Sequence, residues 1–234
     1  MSPILFRTLP CLVTALLMTQ TYAYSPDKEA PVNELSCSNN PALQKIKSDE
    51  LLVLVKQDQD DRKNMGNMTP DQILKLAKDD LARREKVGAI FAAGCLNSSA
   101  DYNGAALIYQ HGDVPDHYYQ AYIWANKAGE IDKSPFNSLA ALAADRYLIS
   151  IGKKQLFGSQ LYNSNILNPE TCFCMQPVEP SYPDSERIKY SGHSLSQSYE
   201  MLTSLNQGKS CMNQPVDCET GLKPSLRGSV PGLW

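Results

Sequence analysis

TPDQILKLAKDDLARREKVGAI, residues 69–90, opens with a complete helix-start signal and runs on for six turns without a breaker. Thr69 is an N-cap, Pro70 suits the first turn, and Gln72 can return a hydrogen bond to the cap. Ile73, Leu76, Ala77, Leu81, Val87 and Ile90 supply an apolar face at three-and-four spacing, with a break before Gly94. Asp80 and Arg84 interrupt that face where an apolar residue is expected, and Arg84 sits between Leu81 and Val87.

The same grammar extends in both directions. Upstream, from Pro41, Leu43, Ile46, Leu51, Leu54 and Val55 make an amphipathic stripe that Asp58 and Arg62 continue. Downstream, a helix from near Asp101 carries Ala105, Ala106, Leu107 and Ile108 to His111, where Gly112 stops it. Pro115 opens the next, with Tyr118, Ala121, Tyr122, Ala125 and Ala128. Another spans about 135–151 and ends at Gly152. The small alanines permit close helix approach. Five helices with short loops predict an all-α hairpin array or bundle over residues 41–160. No second copy at a fixed period supports a repeat array. After Gln160 the composition turns to Asn, Pro, Ser and Cys, so 161–234 is expected to be a loop-rich, disulfide-stapled extension with one modest helix near Leu195–Leu205.

The N-terminus reads as a signal peptide: Arg7, an apolar run over Leu9–Met18, and the small residues of Thr21-Tyr22-Ala23 before a cut after Ala23. The run is about ten residues, short of the roughly 20 that span a bilayer. Residues 24–40 are polar and proline-bearing, an extended leader. Cleavage removes Cys11 and leaves Cys37, Cys95, Cys172, Cys174, Cys211 and Cys218, an even set that suits a secreted or periplasmic protein. Six cysteines allow 15 pairings; their clustering suggests Cys37 with Cys95 and the other four within the tail. The Cys172-Phe173-Cys174 pair could also ligate a metal, although structural zinc sites space cysteines by about two to four residues. The formal net charge is −3, and no basic stripe invites a nucleic acid.

Three Asp–Arg combinations, Asp58 with Arg62, Asp80 with Arg84, and adjacent Asp145 and Arg146, occupy helical stripes that should be apolar. Buried charges must be paired and hydrogen-bonded, so these residues form either a lock that pins helix to helix or a pocket whose guanidinium forks receive an anion. His111 is the candidate proton carrier, since an imidazole changes charge near neutrality. Gln110 and Asp113 flank it and could orient it. His117 and His193, the other two histidines, lie in polar contexts expected to be exposed. Without a His-x-x-x-His spacing, a phosphate loop or a dinucleotide fingerprint, neither a catalytic metal nor a cofactor is expected. Gln155-Leu156-Phe157-Gly158-Ser159-Gln160 follows the last core helix and offers two amides.

As a set, Asp58-Gln59…Arg62, Asp80…Arg84, Asp101-Tyr102…Ala105-Ala106…Gln110-His111-Gly112, Asp145-Arg146…Leu148 and Gln155…Gly158-Ser159-Gln160 resembles the motif series of a bacterial domain family of unknown function. The resemblance covers about residues 58–160. Ser159 stands where Thr is usual, which keeps the hydroxyl. It implies that the flagged polar residues belong to one arrangement and brings no activity with it.

Two functions follow as expectations. One is a site for a small polar or peptide ligand, with His111, Arg146 and Asp145 as catalytic candidates and Gln110, Gln155, Gln160, Asp58, Arg62, Asp80 and Arg84 as binding candidates. There His111 is the general base and Arg146 the anion holder. The other is a structural or protein-interaction module presenting Tyr102, Tyr109, Tyr118, Tyr119, Tyr122 and Trp124.

Overall fold

A computed structural model describes residues 36–234 apart from 64, 135–136, 166–167, 169–170, 208 and 210–216. The expected signal peptide, most of the leader and Cys211 lie outside the described residues. Seven α-helices carry the described chain: α1 Pro41–Arg62, α2 Pro70–Ala92, α3 Ser99–Gln110, α4 Pro115–Ile131, α5 Ser138–Ser150, α6 Asp184–Ser191 and α7 Leu195–Leu205. Strands β1 Leu161–Tyr162 and β2 Cys174–Met175 pair antiparallel, Leu161 opposite Met175.

The helix starts are chemically determined. Asn40 caps α1 by accepting from Leu43 N, and Thr69 with Gln72 completes the capping box of α2. Ser98 with Asp101 does the same for α3, and Ser194 with Gln197 for α7. Each box satisfies two of the amide groups that a helix start leaves without partners.

Helix α3 lies against α1 and α4, and α4 against α5. The seam is built from Ala105, Ala106, Ala121, Ala125, Ala140, Ala141, Ala143 and Ala144, all buried, which lets the helix axes come close. Leu51, Leu54, Val87, Ile90, Ile108, Trp124 and Leu148 fill the remaining core. Ile46 and Leu81 are not part of it: they are 61% and 50% exposed. The inward stripe of α2 passes instead through Asp80, Arg83, Arg84, Val87 and Ile90, and that of α1 through Leu51, Leu54 and Asp58.

The segment after Gln160 is more structured than a loop-rich extension. It adds α6, which was not expected, and it sends Tyr182 and Val230 into the core beside Leu156 and Phe157. Tyr182 packs edge-on against Phe157 and Trp234, while Tyr122 Oη donates to Pro231 O. Cys37–Cys95 ties the approach to α1 to the end of α2. Cys174–Cys218 staples β2 to the later chain, and Cys172 is disulfide-bonded as well. Among the described residues no helix is long and apolar enough to cross a membrane.

Candidate functional site

The site grows from the end of α3. The last carbonyls of a helix have no intrahelical partner and carry partial negative charge, so cations and hydroxyls satisfy them best. Here three successive carbonyls are taken by three different side chains. Arg146 Nη1 donates to Gln110 O at 2.6 Å, Arg84 Nη1 to His111 O at 3.1 Å, and Tyr118 Oη to Gly112 O at 2.8 Å. Helices α2, α4 and α5 thus converge on one turn, with His111 at its centre. Gly112 serves this turn by lacking a side chain: a Cβ there would lie 2.3 Å from His117 Cβ. His117 is consequently half-buried rather than exposed, and its Nδ1 lies 3.0 Å from Asp113.

On the other side, His111 Nδ1 sits 3.0 Å from the carboxylate of Asp58, which has no exposed surface. A carboxylate only accepts, so Nδ1 carries the hydrogen, which leaves Nε2 as the ring nitrogen that can gain or give up a proton. Asp58 also accepts from Gln59 at 2.8 Å and pairs with Arg62 Nη1 at 2.8 Å. Burial alone would raise its pKa. The hydrogen bond and charge of His111, the charge of Arg62 and the Gln59 amide outweigh that and hold it below the ordinary aspartate value.

Arg62 then bridges to Asp80 at 2.7 Å, and Arg83 joins Asp80 at 2.6 Å to Asp61 at 2.7 Å. The expected Asp80–Arg84 pair is therefore replaced. Residues four apart on α2 do share a face, but Asp80 is turned to α1 by Arg62 and Arg83, while Arg84 reaches the α3 turn and Asp113 at 3.2 Å.

Asp145 and Arg146, adjacent in sequence, serve different neighbours. Asp145 is enclosed, and its two oxygens accept from the backbone of Leu156, Phe157 and Ser159 and from Ser159 Oγ, at 2.7–3.2 Å. Burial raises its pKa against the lowering effect of those donors. It holds the 155–160 loop in place. Within that loop Gln155 is fully buried. Its amide nitrogen donates to Gln160 O and Gln176 O, and its oxygen accepts from Gln160 N. Gly158, at φ +74°, makes the turn that returns the chain. The loop presents Gln160 Oε1 to Arg146 Nε at 3.1 Å, and the Arg146 guanidinium lies 5.9 Å over the Tyr118 ring.

The flagged polar residues are thus connected. Asp58, Arg62 and Asp80 meet His111 from one side, Arg84 and Arg146 clamp the carbonyls around it, and Gln160, Gln155 and Asp145 build the loop behind Arg146. Two polar groups stand out inside this arrangement. Gln110, 3% exposed, has a buried carboxamide with neither end hydrogen-bonded among the described residues. His111 keeps 19% of its side chain exposed, and its Nε2 makes no hydrogen bond among the described residues. The aromatic-rich middle is largely packed inward, with Tyr122 and Trp124 buried and Tyr109 and Tyr119 stacked against Trp124, Tyr122 and Tyr147, while Tyr102, Tyr122 and Trp124 also border a surface groove.

Sequence reasoning missed Arg83, Gln59, Tyr118 and Ser159 as members. Arg83 was readable in principle, since it lies three after Asp80 on the interrupted stripe. Two surface grooves lie elsewhere: one of about 990 Å³ lined by Phe91, Ile123 and Tyr190, and one of about 680 Å³ lined by Leu52, Val55 and Gly104. Among the described residues no cluster of His, Cys, Asp and Glu could hold a metal ion. Comparison with protein-family models, curated proteins and solved structures returns no match.

Proposed function

We propose that the chain binds a small polar or peptide ligand at His111, Arg146 and Gln110 and moves a proton on it, in a hydrolysis or group-transfer step. One observation carries this reading: a histidine held at Nδ1 by a buried carboxylate, with Nε2 unengaged, beside an arginine. Asp58 fixes the tautomer and stabilises the imidazolium that forms when Nε2 accepts a proton, which is what an acid–base histidine requires. In this reading Arg146 faces the ligand. Arg62, Asp80, Arg83 and Gln59 hold Asp58, and Asp145, Gln155 and Gln160 hold the loop that orients Arg146. The disulfides fit an oxidising compartment, and we place the protein outside the cytoplasm, delivered by a signal peptide over residues 1–23.

A second reading, a fold-locking network without a ligand, is supported by the mutual neutralisation of Asp58, Asp80, Arg62 and Arg83. H111A and R146A separate the two. With p-nitrophenyl acetate, p-nitrophenyl phosphate and a peptide pool as substrates, the site reading expects wild-type turnover that falls about 100-fold or more in H111A while the fold is retained. Turnover and binding that survive both substitutions in a folded protein would discard the site. No wild-type turnover, with only a lowered melting temperature in the variants, is the outcome of the lock.

A further inference from the structure

We infer that the ligand taken by this site carries an oxyanion, a carboxylate or a phosphate, and that Arg146 is its receptor. The inference rests on the reading of His111 and Arg146 as a ligand site and names the ligand's chemical class.

The arginines of the helical body differ in what neutralises them. Arg62 and Arg83 each contact two or more carboxylates, Arg84 contacts Asp113, and Arg187 contacts Asp184. Arg146 is held differently. Its Nε donates to the amide oxygen of Gln160, its Nη1 to the carbonyl of Gln110, and its face lies toward the Tyr118 ring. All three partners are neutral. They fix the direction of the guanidinium and leave its charge uncompensated. Arg146 is half-buried, and a cation partly withdrawn from water without a counter-ion favours an anion that can reach it.

Arg62 sharpens the point. Burial, and to a lesser degree the nearby Arg62 cation, disfavour the charge on Arg146 against the opposing effect of Tyr118, and no carboxylate pairs with it among the described residues. The nitrogen left over is Nη2, which makes no hydrogen bond among the described residues and is not wholly buried. That nitrogen carries two N–H groups and can donate a charge-assisted hydrogen bond to an oxygen of a carboxylate or phosphate.

The unengaged amide of Gln110 is the second, independent sign. It belongs to the residue whose carbonyl Arg146 grips and the one preceding His111, and leaving both ends of a buried amide idle is unfavourable. Its two polar atoms are closed off from solvent, so a ligand with polar atoms beside its oxyanion would engage it once the side chain turns outward. Acidic residues do not compete for Nη2: Asp58, Asp80 and Asp61 are engaged by Arg62, Arg83 and His111, and Asp145 by the 155–160 loop.

The experiment uses the intact, disulfide-bonded protein, with inorganic phosphate and acetate as probes and chloride at matched ionic strength as reference. The chain has three histidines, so the imidazole C–H signals are few enough to assign in an NMR titration, together with the Arg146 Nε–H. The expected result is a saturable shift of the His111 and Arg146 signals, at millimolar phosphate or acetate, while His193 stays still. Which of the two probes saturates decides between phosphate and carboxylate. R146K should weaken binding about tenfold, because an ammonium cannot keep the contacts to Gln160 and the Gln110 carbonyl that aim the charge and still face the anion, and R146Q should abolish saturation.

No saturable shift in the wild type with either probe up to about 100 mM, or an R146Q protein that binds as well as wild type, overturns the inference. Should R146Q fail to fold, the wild-type titration alone decides. Loss of this inference and loss of the proposed function are separable. H111Q that keeps anion binding, in a protein whose turnover never depended on His111, retains the receptor and removes the proton step. His111-dependent turnover without anion binding does the reverse.

Discussion

At the scale of single residues, Gly112 shows how a motif residue can act through a neighbour. Its backbone is not in the left-handed region, so conformational freedom does not explain it. The steric argument does, because a methyl group would occupy the space of the His117 ring. Gly112→Ala is expected to destabilise by about 1–3 kcal/mol, read as a fall in the urea midpoint, and Gly112→Ala placed on a His117→Gly background, which also lacks the opposing Cβ, should lose little relative to His117→Gly alone. Equal losses on the two backgrounds would place the strain elsewhere. Legibility at this scale was partial. Asp58, Arg62 and Asp80 were visible as charges in apolar stripes, because periodicity reports which face a residue occupies. Periodicity does not report what lies across from that face. Hence Arg84 was assigned to Asp80, although its partners come from α3, and Asp145 was paired with Arg146. Neighbours in a helix diverge by about 100°, and the donors to Asp145 arrive from a loop 11 to 14 residues downstream.

At the scale of elements, capping chemistry made the helices readable. Thr69-Pro70-Asp71-Gln72 marked the start of α2 to the residue, and Pro115 that of α4. Helix α6 escaped because it is eight residues long and buries Arg187 and Ser191 rather than an apolar stripe. Arg187 spends its guanidinium on Leu156 O, Glu179 O and Asp184, contacts that no sequence pattern announces. The two capping boxes of α2 and α3 differ in surroundings, and this yields a graded expectation. Thr69→Ala removes one exposed cap and should cost about 1 kcal/mol. Ser98→Ala should cost more, up to about 2 kcal/mol, because Ser98 Oγ also donates to buried Asp101 at 2.8 Å. Chemical unfolding of the two variants side by side tests the order, and a smaller loss for Ser98→Ala contradicts it.

At the scale of the whole molecule, the buried carboxylates set how the fold responds to acid. Burial raises the pKa of Asp58, Asp101 and Glu179, but hydrogen bonds and charges outweigh it and hold all three below their ordinary values. Asp184 is lowered chiefly by its hydrogen bond to Arg187. A carboxyl whose folded-state pKa lies below its unfolded value stabilises the fold above the unfolded pKa, and that contribution is lost as pH falls through the folded value. Asp145 has the opposite sign: raised by burial, its contribution is complete below the unfolded pKa and declines as pH rises through the folded one. Asp60, held at about 2 chiefly by its hydrogen bonds to Lys56 and Lys63, falls on the same side, and five groups against one predict a protein that loses stability as pH drops below about 4. Asp58 offers the sharpest test, since it joins α1 to the α3 turn through His111 and so links the two halves of the site. Asp58→Asn should lower the urea midpoint at pH 7, and the gap to wild type should narrow as pH falls below the ordinary aspartate value and through the lowered folded one, where the wild-type carboxylate becomes protonated as well. Parallel curves for the two proteins across that range would mean that Asp58 holds its neighbours by shape alone, and the charge-linked account of the His111 turn would have to be abandoned.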